Sequence, residues 1–535
     1  MAAADLVPVA PRPRRFGFSP EAFEKEMADD GIAGMLTFTD LVARAAATWP
    51  DKVAMVFGER STTYAEMMRR IQATRAFLTG TCAVKPGDRV ELLVDNSDDY
   101  AIWYLAIIGA GAVAVPINPK LVARELAFMV KDSAPVLFVQ QVRFDDLIDE
   151  ALRLADLPVP RFTVDRDPPP PDAGAWQDGP VVDVHAPAAI YYTSGTTGTP
   201  KGVIHTHYSM IAGARIFPEA WEYAGPDMRL LACTPMFHIG SHVFFLVTLT
   251  LGATLVIDSY QTERTMRRIV EQKTDTLFMV PSQLLMMEQH PLKDELDFSH
   301  VRIVTFGAAP MAVDRLSAVQ AIFPNGRLVH AMGQTESLGL IVCLHSDMAF
   351  AKIGSVGLAV PGTEMRVVDA DDNPVPAGTV GELVSRAPNN MTGYLNREEA
   401  TASTLRGGWL HTGDLGYLDD DGYLFLVDRA KDMIIRGGEN IYSTEVEDVV
   451  YMMRQVALCA VIGVPDKLFG EEVAVFIQCR EGMTLDADAV RAHCTANMAP
   501  YKVPRIVEFV DGFAMTATGK IQKGELRKGY SAPKS

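Results

Sequence analysis

The chain has few cysteines, and no two of them stand at the spacing of a metal site. Six cysteines occur among 535 residues, and none is part of a C-x-x-C sequence. They are Cys82, Cys233, Cys343, Cys459, Cys479 and Cys494. A zinc site of ordinary spacing and a small disulfide framework are therefore both unsupported. A reducing compartment is the simplest setting for such a chain, and we predict a cytoplasmic location.

Positive charge is scarce. The sequence has 49 Lys and Arg against 67 Asp and Glu, which gives a formal net charge of −18 and a pI of about 5.1. This balance argues against a nucleic-acid-binding surface, although it leaves room for a local basic pocket that binds a phosphorylated ligand. We therefore predict small-molecule partners and no nucleic acid. The oligomeric state stays open, with a homodimer as one option.

Long uninterrupted apolar runs are also missing. The stretches 102–117 and 243–257 are strongly apolar, but both are shorter than the roughly 18 residues of a membrane-spanning helix and both carry Gly, Thr or Pro. We interpret them as buried elements and predict no membrane span. Residues 1–35 combine Pro and Arg with no continuous apolar core, so we interpret them as a loose N-terminal arm.

The remaining sequence alternates strand and helix patterns, which predicts an α/β fold with parallel sheets and crossover helices. A proline run within 166–179 breaks the alternation and predicts a surface connection between two doubly wound α/β lobes. After about residue 353, short strand patterns between turns predict a β-rich subdomain. The last hundred or so residues predict a separate small α+β domain. The predicted boundaries are 36–428 for the large N-terminal domain, 429–432 for a charged link and 433–535 for the C-terminal domain.

One loop stands out for its chemistry. Residues 190–202 read IYYTSGTTGTPKG, an apolar strand-like run that enters a loop of Gly, Ser and Thr and ends at Lys201. Glycines allow close approach of backbone N–H groups to a ligand, hydroxyls add donors, and lysine supplies a point charge suited to phosphate. The loop is not a Walker A motif, because Gly202 follows Lys201 where that motif has Ser or Thr. On its own it could also be a surface turn.

Two further predicted strands end in turns of similar composition. Phe306 leads into Gly307-Ala308-Ala309, and Ala331 leads into MGQTE at 332–336. In open α/β sheets, ligands bind beyond the carboxyl ends of the strands. The three loops therefore predict a single ligand crevice.

Five segments together resemble the adenylate-forming superfamily of acyl-CoA synthetases, carrier-protein adenylation domains and beetle luciferases. They are TSGTTGTPKG at 193–202, MGQTE at 332–336, GGWLHTGD at 407–414, DRAKDMIIRGGENIYSTEVE at 428–447 and TATGKIQKGELRK at 516–528. The resemblance covers nearly the whole chain from Phe38. It implies that ATP activates a carboxylic acid to an acyl-adenylate with release of pyrophosphate, and that the acyl group then passes to a thiol.

The resemblance also implies roles for individual residues in nucleotide binding. The residues implied to hold the β- and γ-phosphates are Thr193, Ser194, Gly195, Thr196, Thr197 and Lys201. The residues implied to form the adenine slot and its edge are Gly307, Ala308, Ala309, Met332, Gly333 and Gln334. Thr335 would donate to the α-phosphate, and Glu336 would place Mg²⁺. The family usually has Tyr at the position of Met332, so a stacking ring is lost there.

Further roles follow for the second half of the chain. Asp414 would bind the two ribose hydroxyls with Arg429 as a second ribose contact, and Lys520 would be the catalytic lysine. Lys431 would be the hinge about which a mobile C-terminal domain rotates between the half-reactions. The residues implied to let the phosphopantetheine arm of coenzyme A pass are Gly437 and Gly438. His238 matches a position between acyl pocket and thiol tunnel, although a core histidine is an equal alternative. The chain has Ser443 where the family often has Pro.

The predicted function is that of an acyl-CoA ligase that uses ATP, Mg²⁺ and coenzyme A. The residues expected to line the acid pocket are apolar or uncharged: Phe237, His238, Val243, Gly307, Met332 and 338–341. A medium- or long-chain fatty acid is the first predicted substrate, and an aryl or cinnamate-like acid is the second. Two other functions stay open at this point: an adenylation enzyme that loads a carrier protein, and a degenerate nucleotide-binding protein.

Overall fold

The computed structural model describes residues 38–170, 180, 182–193, 200–307, 313–437, 439–466, 468–515 and 521–530. These residues form two compact units. The first unit comprises the described residues up to 365 together with 385–411, and the second comprises 366–384 and the described residues from 412 onward. Some site predictions fall on residues outside the described ranges: Ser194, Gly195, Thr196, Thr197, Ala308, Ala309, Gly438 and Lys520. The predicted loose arm, residues 1–35, also lies outside them.

The helices and strands of the described chain follow the predicted alternation. The α-helices are α1 Phe38–Thr48, α2 Tyr64–Gly80, α3 Asp98–Gly109, α4 Ala123–Ser133, α5 Asp145–Ala155, α6 His207–Ala220, α7 Ile239–Leu251, α8 Thr262–Glu271, α9 Pro281–Gln289, α10 Val313–Ile322, α11 Glu398–Thr404, α12 Ser443–Tyr451, α13 Ala487–Asn497 and α14 Lys523–Gly529. Short 3₁₀ turns occur at Val142–Phe144, Pro291–Lys293, Thr335–Ser337 and Arg406–Gly408.

The strands of the described residues fall into four sheets. They are β1 Val53–Phe57, β2 Arg60–Thr63, β3 Arg89–Leu93, β4 Val113–Pro116, β5 Leu137–Gln140, β6 Arg161–Thr163, β7 Pro187–Thr193, β8 Lys201–Thr206, β9 Arg229–Ala232, β10 Thr254–Ile257, β11 Thr276–Met279, β12 Ile303–Gly307, β13 Arg327–Met332, β14 Val342–Leu344, β15 Leu358–Ala359, β16 Glu364–Val368, β17 Gly381–Arg386, β18 Gly393–Tyr394, β19 Leu410–Leu418, β20 Leu424–Arg429, β21 Ile434–Arg436, β22 Glu439–Ile441, β23 Val456–Asp466, β24 Gly470–Cys479 and β25 Ile506–Phe509.

Two large sheets organise the first unit. One has nine strands in the order β15-β14-β13-β12-β11-β9-β10-β1-β2, and its central strands are parallel. The other has seven strands in the order β18-β8-β7-β4-β3-β5-β6, and it is parallel from β7 to β6. The prediction of two α/β lobes with parallel sheets is therefore confirmed. The second unit contains the four-stranded sheet β16-β17-β19-β20 and the five-stranded sheet built around β24.

The apolar stretches of the sequence are buried elements, as predicted. The first becomes α3 and β4, and every residue of α3 except Asp99 is buried. The second becomes α7 and β10. Among the described residues, no helix combines the length and the apolar run that a bilayer crossing requires. All six cysteines are free.

Side-chain caps set some of the helix boundaries. Helix α3 begins at Asp98, because Ser97 accepts a hydrogen bond from the Tyr100 N–H. The acidic residues of this first turn also suit the positive end of the helix dipole. The predicted domain boundaries at 428 and 432 stay a prediction.

Candidate active site

Lys201 lies at the start of β8, directly after the Gly/Ser/Thr loop. Its Nζ is 4.9 Å from the centroid of the Tyr394 ring, within the range of a cation–π contact. Tyr394 is held there by the pairing of β18 with β8, which sets Tyr394 opposite Val203 and Gly393 opposite Ile204. The sequence did not point to Tyr394, because a strand of two residues leaves no periodic signal.

The same tyrosine also contacts Glu336. The Tyr394 hydroxyl donates to Glu336 Oε1 at 2.8 Å, and the Met391 N–H donates to the Glu336 carbonyl at 2.7 Å. Lys201 and Glu336, which lie far apart in sequence, thus contact the ring and the hydroxyl of the same side chain. The second carboxylate oxygen, Oε2, is not used by Tyr394.

A tight turn after β13 positions Thr335 and Glu336. The Gln334 N–H donates to Ser337 Oγ at 3.0 Å, and the Asn389 amide donates to the Ser337 carbonyl at 2.7 Å. Gly333 is required here, since a Cβ on this residue would lie 2.3 Å from the Leu340 nitrogen. The turn ends at Leu338, where a φ of 53° changes the direction of the backbone.

His205 fixes the turn from the side of β8. Its Nε2 lies 2.7 Å from the Thr335 carbonyl, and its Nδ1 lies 3.2 Å from Ser209 Oγ. Burial lowers the pKa of His205 to about 4, so the ring is neutral at pH 7 and its Nε2–H donates to Thr335. Sequence reasoning missed His205, and no local motif marks it.

The structure brings together the described part of the predicted adenine slot. Strands β12 and β13 are parallel neighbours, with Gly307 opposite Ala331. A Cβ on Gly307 would lie 2.2 Å from the Ala331 carbonyl oxygen, so only glycine fits at this strand end. Met332 ends β13 and is largely buried. These residues and the 333–336 turn therefore share the carboxyl edge of one sheet.

His238 caps α7 and is only half-buried. Its Nδ1 accepts a hydrogen bond from the Gly240 N–H at 3.3 Å. A small enclosed cavity lies beside this helix, and the volume open to the centre of a water molecule is about 10 Å³. Its lining residues are Tyr104, Tyr191, Met210, Ile239, His242, Val243, Leu246 and Leu338. Two of these, Val243 and Leu338, belong to the acid pocket predicted from the sequence.

The second unit holds Asp414 and Arg429 in cross-strand register on β19 and β20. Arg429 Nε donates to Asp414 Oδ1 at 2.6 Å, and the Asp414 N–H donates to Thr412 Oγ1 at 3.0 Å. The Gly413 N–H donates to Glu382 Oε1 at 2.9 Å. The carboxylate of Asp414 is mostly buried, and Arg429 orients it through Oδ1.

The charged link after β20 is a compact turn. The Asp432 N–H donates to the Arg429 carbonyl at 2.8 Å, and the Ala430 N–H donates to the Gly413 carbonyl at 2.9 Å. Lys431 lies exposed at its tip. Gly437 follows β21 with a φ of 61°, in the left-handed region that favours glycine.

A family model described as AMP-binding enzyme matches residues 42–395. The chain belongs to the AMP-binding enzymes. A second model, described as AMP-binding enzyme C-terminal domain, matches residues 445–520 of this AMP-binding enzyme. The predicted membership of the adenylate-forming superfamily and the predicted enzyme class, an AMP-forming acid–thiol ligase, are confirmed.

Relatives cover nearly all of this AMP-binding enzyme. A feruloyl-CoA synthase from Amycolatopsis sp. is 36% identical over 490 residues, which is 91% of this chain and 98% of that protein. A long-chain-fatty-acid–CoA ligase from Mycobacterium tuberculosis is 35% identical over 487 residues, 88% of this chain and 93% of that protein. The solved structure of ATP-bound MatB from Rhodopseudomonas palustris has a TM-score of 0.83 at 28% identity and covers 92% of this chain and 99% of that chain.

Within the described ranges, no cluster of three His, Cys, Asp or Glu side chains suited to holding a metal ion occurs. A single carboxylate at Glu336 is nevertheless compatible with Mg²⁺, which commonly takes one or two protein carboxylates and completes its shell with phosphate oxygens and water. Oε2 of Glu336, which Tyr394 does not contact through its hydrogen bond to Oε1, fits such a role.

Proposed function

We propose that this AMP-binding enzyme is an acyl-CoA ligase. It would convert a carboxylic acid and ATP to acyl-AMP and pyrophosphate, and then transfer the acyl group to coenzyme A with release of AMP. The observation that carries the proposal is the contact of Tyr394 with both Lys201 and Glu336. This contact joins the end of the Gly/Ser/Thr loop to the carboxylate that the nucleotide chemistry requires.

In the first half-reaction, the carboxylate of the acid attacks the α-phosphorus and pyrophosphate leaves. Residues 193–197 would donate backbone and hydroxyl hydrogens to the departing phosphates, and Lys201 would add a positive charge. Glu336 would hold Mg²⁺ through Oε2, and the ion would supply further positive charge to the phosphate oxygens. Tyr394 would orient that carboxylate through Oε1. Catalysis of this kind rests on positioning and charge stabilisation.

The adenosine moiety would be recognised by two groups of residues. The proposed adenine slot consists of Gly307, Ala308, Ala309, Met332, Gly333 and Gln334. Thr335 would donate a hydrogen bond from its hydroxyl to the α-phosphate. His205 holds the backbone of this residue in place through the Thr335 carbonyl. Asp414 would accept hydrogen bonds from the ribose hydroxyls, and Arg429 would hold that carboxylate and contact the ribose.

The C-terminal residues would divide the two half-reactions between them. Lys520 would neutralise the charge that builds up during adenylation. Rotation about Lys431 would then bring Gly437 and Gly438 into use for the phosphopantetheine arm of coenzyme A. His238 would lie between the acyl pocket and the thiol path. We further propose that the division at 429–432 separates the part that binds nucleotide and acid from the part that moves.

The acid is proposed to be hydrophobic, because the described residues of the predicted pocket are apolar or uncharged. The relatives carry names from both predicted substrate classes. One is named for ferulate, one for long-chain fatty acids, and a third from Aromatoleum aromaticum, 32% identical, for indoleacetate. A medium- or long-chain fatty acid and an aryl acid are therefore both candidates from the comparisons.

The test is incubation of the purified protein with ATP, Mg²⁺, coenzyme A and a panel of acids, with pyrophosphate and thioester both measured. We expect pyrophosphate, AMP and acyl-CoA in equal amounts. Accumulation of acyl-AMP without any thioester would instead favour an enzyme that loads a carrier protein. Absence of pyrophosphate release with every acid, from folded protein that binds ATP, would leave only a nucleotide-binding role.

A further inference from the structure

The enclosed cavity beside α7 adjoins the turn that carries Thr335 and Glu336. Leu338, two residues beyond Glu336, lines the cavity, and it reaches this position because α6 has a glycine opposite it. A Cβ on Gly213 would lie 2.5 Å from Leu338 Cδ2. His205 makes a second connection, since it contacts the Thr335 carbonyl and its ring lies 6.0 Å from the ring of Tyr191 in the cavity wall. The cavity is therefore placed to receive the acyl part of the acid.

The walls of this cavity differ in how readily they can move. Met210, Leu246 and Leu338 line the cavity with flexible apolar side chains, and methionine adapts to irregular shapes with little cost. The cavity as it stands has room for about one water molecule, so an acyl group can enter only when such side chains move.

A second group of side chains, of which Tyr104, Tyr191 and His242 line the cavity, is held by hydrogen bonds. The Tyr104 and Tyr191 hydroxyls lie 2.6 Å apart, and the Tyr100 hydroxyl lies 3.1 Å from His242 Nε2. The rings also pack on one another, with Tyr104 and His242 centroids 4.2 Å apart and Tyr191 and His242 centroids 5.0 Å apart. All four side chains are buried, and we call them the aromatic floor.

Displacing the aromatic floor would be costly. A linear acyl chain that extends past the aromatic floor must separate these hydrogen-bonded pairs. A buried polar group left without its partner costs about 1–3 kcal/mol. Burial lowers the pKa of His242 to about 3, so its ring is neutral at pH 7 within the aromatic floor. A compact acyl group that stops at the floor avoids these costs and gains contact with aromatic rings.

We propose that the aromatic floor of Tyr100, Tyr104, Tyr191 and His242 limits the acid to a compact, ring-sized acyl group, so that the enzyme prefers aryl acids over long linear fatty acids. This inference rests on the proposed function, because it assigns the substrate class of that same site.

The experiment compares cinnamic, phenylpropanoic, octanoic and hexadecanoic acids with the wild-type chain. Thioester formation gives kcat/KM, and thermal stabilisation by each acid in the presence of ATP gives the order of affinity. We expect kcat/KM for the aryl acids to exceed that for hexadecanoic acid by at least about tenfold. A preference for hexadecanoic acid would overturn the proposal. If no acid gives a thioester, the proposed function fails, and the affinity order still decides on the floor.

Two variants probe the floor itself. His242→Ala removes one ring from the aromatic floor and makes room for a longer acyl chain. It should raise kcat/KM for octanoic acid relative to cinnamic acid by about tenfold. Tyr100→Phe removes only the hydroxyl that contacts His242, and we expect a smaller shift in the same direction from a protein that keeps its packing. Val247→Ala is the matched control, since Val247 is buried on the same helix but does not line the cavity. An unchanged acid preference in both floor variants would count against the assignment.

Discussion

At the scale of single residues, Tyr394 has the contacts that sequence motifs could not reveal. Its ring faces the Lys201 ammonium and its hydroxyl holds Glu336. Lys201 was picked out by the composition of its loop, and Glu336 by the resemblance of MGQTE at 332–336 to a family motif. Tyr394 lies 58 residues from Glu336 in sequence, and the contact depends on the pairing of β18 with β8. Only the folded sheet creates that pairing, so no local pattern could predict it.

Replacing Tyr394 with Phe should lower the rate of adenylation. The variant keeps the ring beside Lys201 and removes the hydroxyl that donates to Glu336, a charge-assisted bond of about 1.5–3 kcal/mol. We therefore expect kcat for acid-dependent pyrophosphate release to fall by about tenfold or more, while thioester formation from supplied acyl-adenylate stays close to wild type. The rate of pyrophosphate release and the rate of acyl-CoA formation from supplied acyl-adenylate are measured separately. Tyr417→Phe, in a stacked pair with Phe425 on the second unit, is the control. Equal losses in the two half-reactions would indicate a structural role instead.

Replacing Lys520 with Ala should abolish adenylation and spare the second half-reaction. A lysine that neutralises charge during attack on the α-phosphorus has no such task once acyl-adenylate is supplied. The half-reactions can be followed separately by pyrophosphate release and by acyl-CoA formation from synthetic acyl-adenylate. Lys528→Ala is the matched control, because this nearby lysine is exposed and pairs with Glu525 on the surface. Full adenylation by the Lys520 variant would refute the assigned role.

At the scale of elements, the sequence predicted helices and strands well where periodicity was strong. The predicted alternation of strand and helix patterns agrees with the parallel core strands β9 to β13 and the helices between them. The exact helix bounds depend also on side-chain caps, such as that of Ser97 for α3. The aromatic floor was not predicted, because Tyr104, Tyr191 and His242 come from three different elements that only packing brings together.

The turn after β20 is the element in which a hinge is proposed. Replacing Lys431 with Pro should stiffen the backbone there, because proline fixes φ near −65° and restricts the residue before it. We expect adenylation to persist and the rate of thioester formation to fall by about tenfold or more. Lys431→Ala removes the same charge while keeping the backbone free, and it should retain thioester turnover. An unaltered second half-reaction in the proline variant would refute the hinge.

Helix α14 is fixed by buried contacts of Lys523. Its Nζ lies 2.7 Å from Ser443 Oγ and 2.7 Å from Glu447 Oε1, and Ser443 also donates to Asp428. Ser443 stands where the family often has Pro, and here its N–H and hydroxyl both have partners. The side chains of Lys523 and Glu447 are 15% and 14% exposed, so they form a mostly buried pair. These contacts hold the start of the helix that follows residue 520.

Replacing Lys523 with Met should destabilise the second unit by about 3 kcal/mol, because removal of one partner leaves a buried carboxylate without its counter-charge. Urea unfolding followed by a probe in the second unit measures the effect. The control is Lys528→Met, which breaks a pair whose side chains are 70% and 51% exposed and should cost less than about 1 kcal/mol. The double variant Lys523→Met, Glu447→Gln should recover part of the loss. Equal effects of the two single variants would contradict the buried pair.

At the scale of the whole molecule, the fold class followed from alternation of pattern and from five motifs in order. The structure adds how the described residues group into compact units. The β-rich segments 366–384 and 412–428 belong to the same unit as the last hundred residues, although the sequence runs from one into the other through 385–411. Local patterns describe consecutive residues, so a unit assembled from separated segments becomes visible only in the folded chain.

The first unit contains several buried histidines, and they predict how its stability depends on pH. Burial lowers the pKa of His205 and His207 to about 4 and that of His242 to about 3, against 6.5 for an ordinary histidine. The unfolded chain therefore binds more protons than the folded one between about pH 4 and 6.5. Their contribution to stability is complete above pH 6.5 and is lost as the pH falls through this window.

Each of these histidines adds a slope of up to about 1.4 kcal/mol per pH unit to the free energy of unfolding within that window. Urea unfolding of the first unit between pH 5 and 7 should therefore show a steep loss of stability on acidification. Replacing His242 with Phe keeps a ring in the aromatic floor and removes one titrating group, so the slope should fall by about 1.4 kcal/mol per pH unit. Phe245→Leu, which alters a ring 5.7 Å from His242 without removing a titratable group, should leave the slope unchanged. An identical slope in wild type and the His242 variant would mean that carboxylates elsewhere, rather than buried imidazoles, set the acid limit of the fold.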